Sequence, residues 1–191
     1  MIRRLLLTVF ILSSLGHSAG AFQQSSQKPD DLNSGIVYGR DHSFMLSAPA
    51  GWTLDNSSGV SQGMQAVFFP TGSSWKGGIV VMYATVIHKD AGRNKTAGRV
   101  IQNDIDECKN ASKESTVKDG SSISTTDSKK AEVKYFYDAQ NKNYEAVAYI
   151  NESKVVVILA LSSRSKEDYD KSLTAFNDLV ASYYFLAEKV N

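Results

Sequence analysis

From Ile36 onward the chain is written in short apolar runs separated by Gly, Pro, Ser and Asn clusters. "IVYG" comes first, then "SFMLSAP" closed by Pro49, then Trp52-Thr53-Leu54. After the polar "NSSGVSQG" comes "MQAVFFP", ended by Pro70. Runs of this length between turn formers read as strands and loops. Two later runs, "IVVMYATVI" and "VVVILALSS", are almost wholly apolar and rich in β-branched residues. That pattern predicts strands buried on both faces, near the middle of a sheet. "AEVKYFYD" alternates instead, with Ala131, Val133, Tyr135 and Tyr137 on one side and Glu132 and Lys134 on the other. "AQNKN" is a hairpin loop leading into "YEAVAYI". The polar stretch between Ser112 and Lys130 carries at most a short strand.

Two segments change to a helical period. Ala97, Ile101, Ile105 and Cys108 fall on one helical face, with Thr96 placed to cap its start. Tyr169, Leu173, Phe176 and Val180 form a second stripe, and Ser165 with Asp168 three residues on gives its capping pattern. "YYFL" then returns as a short strand or docks as a tail. Roughly seven strands and two unevenly placed helices do not make alternating βαβ units, so the sheet should be largely antiparallel. Two doubly buried strands need cover on both faces. The expectation is an α+β chain folded as a three-layer α/β/α sandwich.

The amino terminus has a different logic. Arg3 and Arg4 precede an apolar core from Leu5 to Leu15, and Ala19-Gly20-Ala21 is a small-x-small cleavage pattern. Residues 1–21 are thus expected to be an export signal, with no cysteine at the cleavage point to carry a lipid. Residues 22–34 are polar and read as a flexible segment, and 35–191 as a single domain. The strongest later apolar run, Val155 to Leu161, is far below the roughly 20 residues of a spanning helix. The mature chain is therefore expected in the periplasm or outside the cell, with no stable membrane insertion after cleavage.

Charge and cysteine narrow the partners. The 191 residues carry a formal charge of +1, which becomes −1 without Arg3 and Arg4. With no block of like charge, nucleic acid and anionic membrane are poor candidates for the main partner. The single cysteine, Cys108, excludes a disulfide within the chain and sits on an apolar helix face as a small core residue.

Catalytic motifs do not find their context. "GVSQG", residues 59–63, matches G-x-S-x-G, the pattern of a serine hydrolase using Ser61. The nucleophile elbow needs a strand before and a helix after; here a polar loop precedes and a strand follows. "GSSWKG", residues 72–77, has phosphate-loop glycine spacing without the Lys-Ser/Thr ending. His42 and His88 lie far apart in sequence, and no pair of metal ligands shares a helix or loop. Asp41-His42 reads as a solvated strand edge, the alternative being membership of a site assembled in space. No cofactor motif is present.

Two tryptophans remain. Trp52, after Pro49-Ala50-Gly51, reads as the first residue of a strand, a packing anchor. Trp75 lies in a Gly/Ser loop beside Lys76 with nothing obvious nearby to bury it. Either Trp75 and Lys76 form a partner-binding hot spot, or the loop folds back over the ring.

"FMLSAPAGW" at 44–52, "AVFFP" at 66–70 and "IVVMYATVI" at 79–87, with the paired strands at 131–138 and 144–161 and a closing helix into "LVASYYFL", resemble the Mog1/PsbP-like superfamily. The resemblance covers most of the mature chain. It implies an antiparallel sheet flanked by helices, in a family whose members mostly bind or stabilise other proteins and are not generally enzymes. No functional residue carries over. Besides a protein-binding module contacting its partner through the Trp75 loop or an exposed sheet edge, two readings stay open: a small hydrolase using Ser61, and a ligand or metal carrier with a pocket between sheet and helix.

Overall fold

Eleven strands and two helices form among the described residues, 33–90 and 94–188 of the computed structural model. The export signal expected at 1–21, and the flexible segment up to residue 32, lie outside the described residues. In chain order the elements are β1 (Ser34–Gly39), β2 (His42–Ser47), β3 (Trp52–Asp55), β4 (Ala66–Pro70), β5 (Val80–His88), α1 (Ala97–Ala111), β6 (Thr116–Asp119), β7 (Ile123–Ser124), β8 (Lys130–Asp138), β9 (Asn143–Asn151), β10 (Val155–Ser163), α2 (Lys166–Ala181) and β11 (Tyr184–Ala187).

The large sheet runs β3-β4-β5-β10-β9-β8-β6, with β7 on β8. All its pairings are antiparallel. Its centre is the β5–β10–β9 trio, and both strands expected to be doubly buried are in it. Every residue from Val155 to Leu161 is buried. The pleat sends Val155, Val157, Leu159 and Leu161 to one face and Val156, Ile158 and Ala160 to the other. Each fully buried side chain of this kind contributes about 1.5–3 kcal/mol, so this strand alone anchors both cores.

Each face has its helix, as the sandwich requires. α2 packs over β9, β10, β5 and β7. Tyr169, Phe176, Leu179 and Val180 enter the core on that side. α1 packs on β6, β8 and β9 of the opposite face through Val100, Ile101 and Cys108. Tyr149 Oη on that face donates to Asp104 Oδ2 at 2.7 Å, tying strand to helix. Both caps form as the sequence implies: Thr96 Oγ1 accepts from Arg99 N at 3.2 Å and Ser165 Oγ from Asp168 N at 3.2 Å.

Two features depart from the expected layout. The polar stretch holds two short strands, β6 and β7, not one at most. And β1, β2 and β11 form a separate three-stranded sheet. This small sheet shares the α2-side core: Val37, Phe44 and Leu46 cluster with Trp52 and Phe68. "YYFL" thus ends as a strand, and Trp52 opens β3 as a buried anchor.

A polar latch holds the small sheet and the end of α2 to the β9–β10 turn. Glu152, buried there, accepts from Tyr183 Oη at 2.7 Å and from Lys129 Nζ at 2.5 and 2.6 Å. Its backbone carbonyl accepts from Lys89 Nζ. Burial, then the Glu152 bond, pushes the Tyr183 hydroxyl far above its ordinary pKa. The carboxylate and phenol therefore satisfy each other in a dry site.

Candidate functional site

The helices do not cover the sheet completely, and what happens at the two uncovered corners differs. On the α1 face the uncovered strands are β4 and β5. The loops before β4 and before β5 close over them, and Trp75 fills the space. Its ring is 2% exposed and packs with Met64, Val67 and Val81, edge-on to Tyr83 at 6.2 Å. The indole N–H donates to Gln62 Oε1 at 2.9 Å. The exposed tryptophan on which the Trp75/Lys76 hot spot rested is not found: the loop folds back, and only Lys76 stays at the surface. The physical reason lies across the chain, where Gln62 supplies the acceptor that lets an indole be buried.

That same contact gives the "GVSQG" stretch a structural role. Val60–Gln62 is a single 3-10 turn. Gly59 must lack a side chain, since a Cβ there would meet Val67 Cγ1 at 2.4 Å. Gly63 sits at φ +79°, in the left-handed region glycine favours. The two glycines shape the turn, Gln62 caps Trp75, and Ser61 faces solvent. His42 directs its ring nitrogens to the Arg40 carbonyl at 3.0 Å and to Gln65 Oε1 at 3.2 Å. His88 faces Asp41, with Nδ1 at 3.7 Å from Oδ2.

His42 itself departs from the solvated edge expected of Asp41-His42. It is 1% exposed, and its ring centroid lies 5.9 Å from that of His88, 46 positions later in the chain. Burial first, and the neighbouring His88 charge, hold its pKa below the ordinary histidine value. Among the described residues no group of three or more His, Cys, Asp or Glu is placed to hold a metal ion.

On the α2 face the uncovered corner is left open. Beyond α2, toward the edge strand β6, the pleat presents two rows of outward residues. Thr116, Tyr137 and Tyr144 are register partners across β6, β8 and β9. Lys118 and Tyr135 are partners in the adjacent row. The flank of α2 supplies Tyr169, Leu173 and Lys166 as a wall. Together they line a groove of about 380 Å³. The Tyr137 and Tyr144 rings lie 4.8 Å apart, tilted by 31°, and Tyr144 lies 5.8 Å from Tyr169. Lys166 Nζ stands 5.8 Å from the centroids of both Tyr144 and Tyr169, and pairs with Asp170 Oδ2 at 2.5 Å. Burial pushes the Tyr169 hydroxyl well above its ordinary pKa, so it remains a neutral donor.

This groove is the site the sequence reading missed. Tyr135 and Tyr137 were visible as one side of an alternating strand, and Tyr169 as part of a helical stripe. The signal was that these positions are tyrosine, where a sealed core favours Leu, Ile and Val. An amphipathic ring with a hydroxyl suits a half-wet surface and is enriched at binding hot spots. A second apolar surface is the outer side of the small sheet, where Ile36, Tyr38, Tyr184 and Leu186 are exposed.

A mostly antiparallel sheet between two helices, with no helix among the described residues long and apolar enough to cross a membrane, defines the architecture. It is the Mog1/PsbP-like fold that the resemblance implies. The cyanobacterial PsbP (CyanoP) of Synechocystis sp. PCC 6803 is similar over 85% of this chain and 98% of its own, at 13% identity and a TM-score of 0.53. LpqN of Mycobacterium tuberculosis, involved in cell envelope biogenesis, is similar over 82% and 92%, at 16% identity and a TM-score of 0.55. No family model matches the sequence, and no curated protein matches it.

Proposed function

We propose that this chain is an exported, non-catalytic module that binds another protein, and that the tyrosine groove beside α2 is its contact surface. The observation that carries the reading is the groove: Tyr135, Tyr137 and Tyr144 of β8 and β9 stand half-buried at the corner α2 does not reach, with the buried Tyr169 of α2 as their wall. Aromatic rings held by a rigid sheet lose little freedom on binding, which is why such clusters serve as interaction anchors. The fold likeness to CyanoP and LpqN is compatible with a binding or assembly role, and the amino-terminal pattern supports export.

The test starts from a cross-linked pull-down in the native host, then measures affinity for the identified partner with purified proteins. Tyr144→Ala is expected to weaken binding at least about tenfold, as loss of an aromatic anchor does. Tyr38→Ala, on the outer side of the small sheet, is expected to leave it unchanged. Equal affinity for wild type and Tyr144→Ala overturns the assignment of the groove.

The groove's volume also lies at the lower end of the small-ligand range, roughly 300–1,000 Å³, which favours a carrier as the second reading. Native mass spectrometry separates the two, since a carrier retains a bound small molecule. The hydrolase reading has Ser61 solvent-facing and both histidines engaged elsewhere. Fluorophosphonate labelling lost in Ser61→Ala would revive it.

A further inference from the structure

We infer that the groove receives an aromatic side chain from an extended segment of a partner protein, and that the residue two positions along that segment carries a carboxylate. The inference rests on the groove being the binding surface. Its size sets the first half. A space of about 380 Å³ holds one large side chain with some slack, not a helix or a folded edge. Tyr137, Tyr144 and Tyr169 stand in sequence around it, at centroid separations of 4.8 and 5.8 Å and with tilts of 31° and 38°. A flat ring entering there meets ring edges and faces together, the arrangement aromatic pairs prefer.

Charge sets the second half. The lining holds two cations, Lys118 and Lys166, and no carboxylate. The two differ in what they can offer. Lys166 is held by Asp170 across one helical turn. Lys118 is exposed on the edge strand β6, next to the Tyr135 row, and makes no ion pair among the described residues. The rim on the β6 side is therefore an open positive charge beside an aromatic floor. An anion two residues from the inserted ring reaches that charge, because alternate side chains of an extended segment share a face and lie about 6.5 Å apart. A cation at that position meets Lys118 instead, so the rim also discriminates.

The experiment uses the folded chain and three blocked tripeptides, tryptophan and serine followed by glutamate, glutamine or lysine, titrated to millimolar concentration. Tyrosine-resolved NMR reports the site. The glutamate peptide is expected to shift the Tyr137 and Tyr144 resonances with an affinity about threefold above the glutamine peptide, and the lysine peptide is expected to be weakest, the size expected of an exposed charge pair. High salt compresses the series. In Lys118→Glu the order reverses, which a merely structural role for the lysine cannot produce. Equal affinities for all three peptides, or an unchanged order in Lys118→Glu, overturn the carboxylate assignment while leaving the groove as the binding surface. No shift of these resonances with any peptide overturns the inference. So does a shift produced only by phosphatidylglycerol vesicles, which would assign the groove to a lipid surface.

Discussion

Two corners of one sheet received opposite treatment. Each helix is too narrow to cover its face: α1 leaves β4 and β5, and α2 leaves β6 and the end of β8. At the first corner a loop closes down with Trp75, and the one polar atom of the indole finds Gln62. At the second, no loop crosses, and the residues are tyrosines that tolerate both water and contact. An uncovered sheet corner is thus either sealed with a large side chain and a paired hydrogen bond, or kept open with amphipathic rings. The chemistry of the aromatic residue tells which. An indole with an acceptor in reach belongs to the core, and a cluster of phenols without cover belongs to the surface.

The strongest way to break this comparison is Trp75→Ala. A sealed corner loses the burial of a whole indole and gains a cavity, at a cost of about 3–5 kcal/mol. Urea denaturation should show a shift of that size, against a total domain stability of about 5–15 kcal/mol. Peptide binding at the groove, measured on the folded fraction, should not change. If Trp75→Ala left stability intact but abolished partner binding, the two corners would have to exchange roles.

Gln62 sharpens the same point with a smaller effect. In Gln62→Ala the indole N–H stays buried without its acceptor, at a cost of about 1–3 kcal/mol. Gln62→Glu keeps an oxygen in place and should recover part of the loss. Ser61→Ala, one residue away but facing solvent, should stay within about 0.5 kcal/mol of wild type by the same denaturation curves. The contrast separates the structural use of "GVSQG" from a catalytic one. A Ser61 variant as damaged as the Gln62 variant would contradict it.

How much of this could be read from the chain follows from how far apart the partners lie. β10, α1 and α2 announce themselves because their burial is local and periodic: all of Val155 to Leu161, or one face of α2. β6 is hidden in polar text because an edge strand buries little; only Val117 among its four residues is even partly covered. The strands of the small sheet are legible but their grouping is not, since β2 pairs with β11, about 140 residues on by the register of Met45 with Tyr184. Trp75 stands out in its Gly/Ser loop, but its fate depends on Gln62, on the far side of β4. The tyrosine groove fails for a related reason. That Tyr135 and Tyr137 share a side follows from alternation, yet whether α2 covers them depends on where that helix crosses the sheet.

The smallest expected effect comes from His42, which braces the sealed side through Gln65. Its folded pKa lies below the ordinary 6.5, chiefly because burial disfavours the charged ring. The unfolded chain therefore takes up the proton first, and stability must fall as pH drops. The contribution of His42 is complete above 6.5 and is lost progressively as pH falls from there through the lower folded value. Denaturant midpoints measured between neutral pH and about pH 5, above the ordinary carboxylate range, isolate this group. His42→Gln should flatten that slope. The groove gives no counterpart, since burial raises the Tyr169 pKa and keeps that phenol neutral throughout the window. Acidification should thus loosen the sealed region of the molecule while leaving the open one as it was. A wild-type slope that survives in His42→Gln would place the titrating group elsewhere.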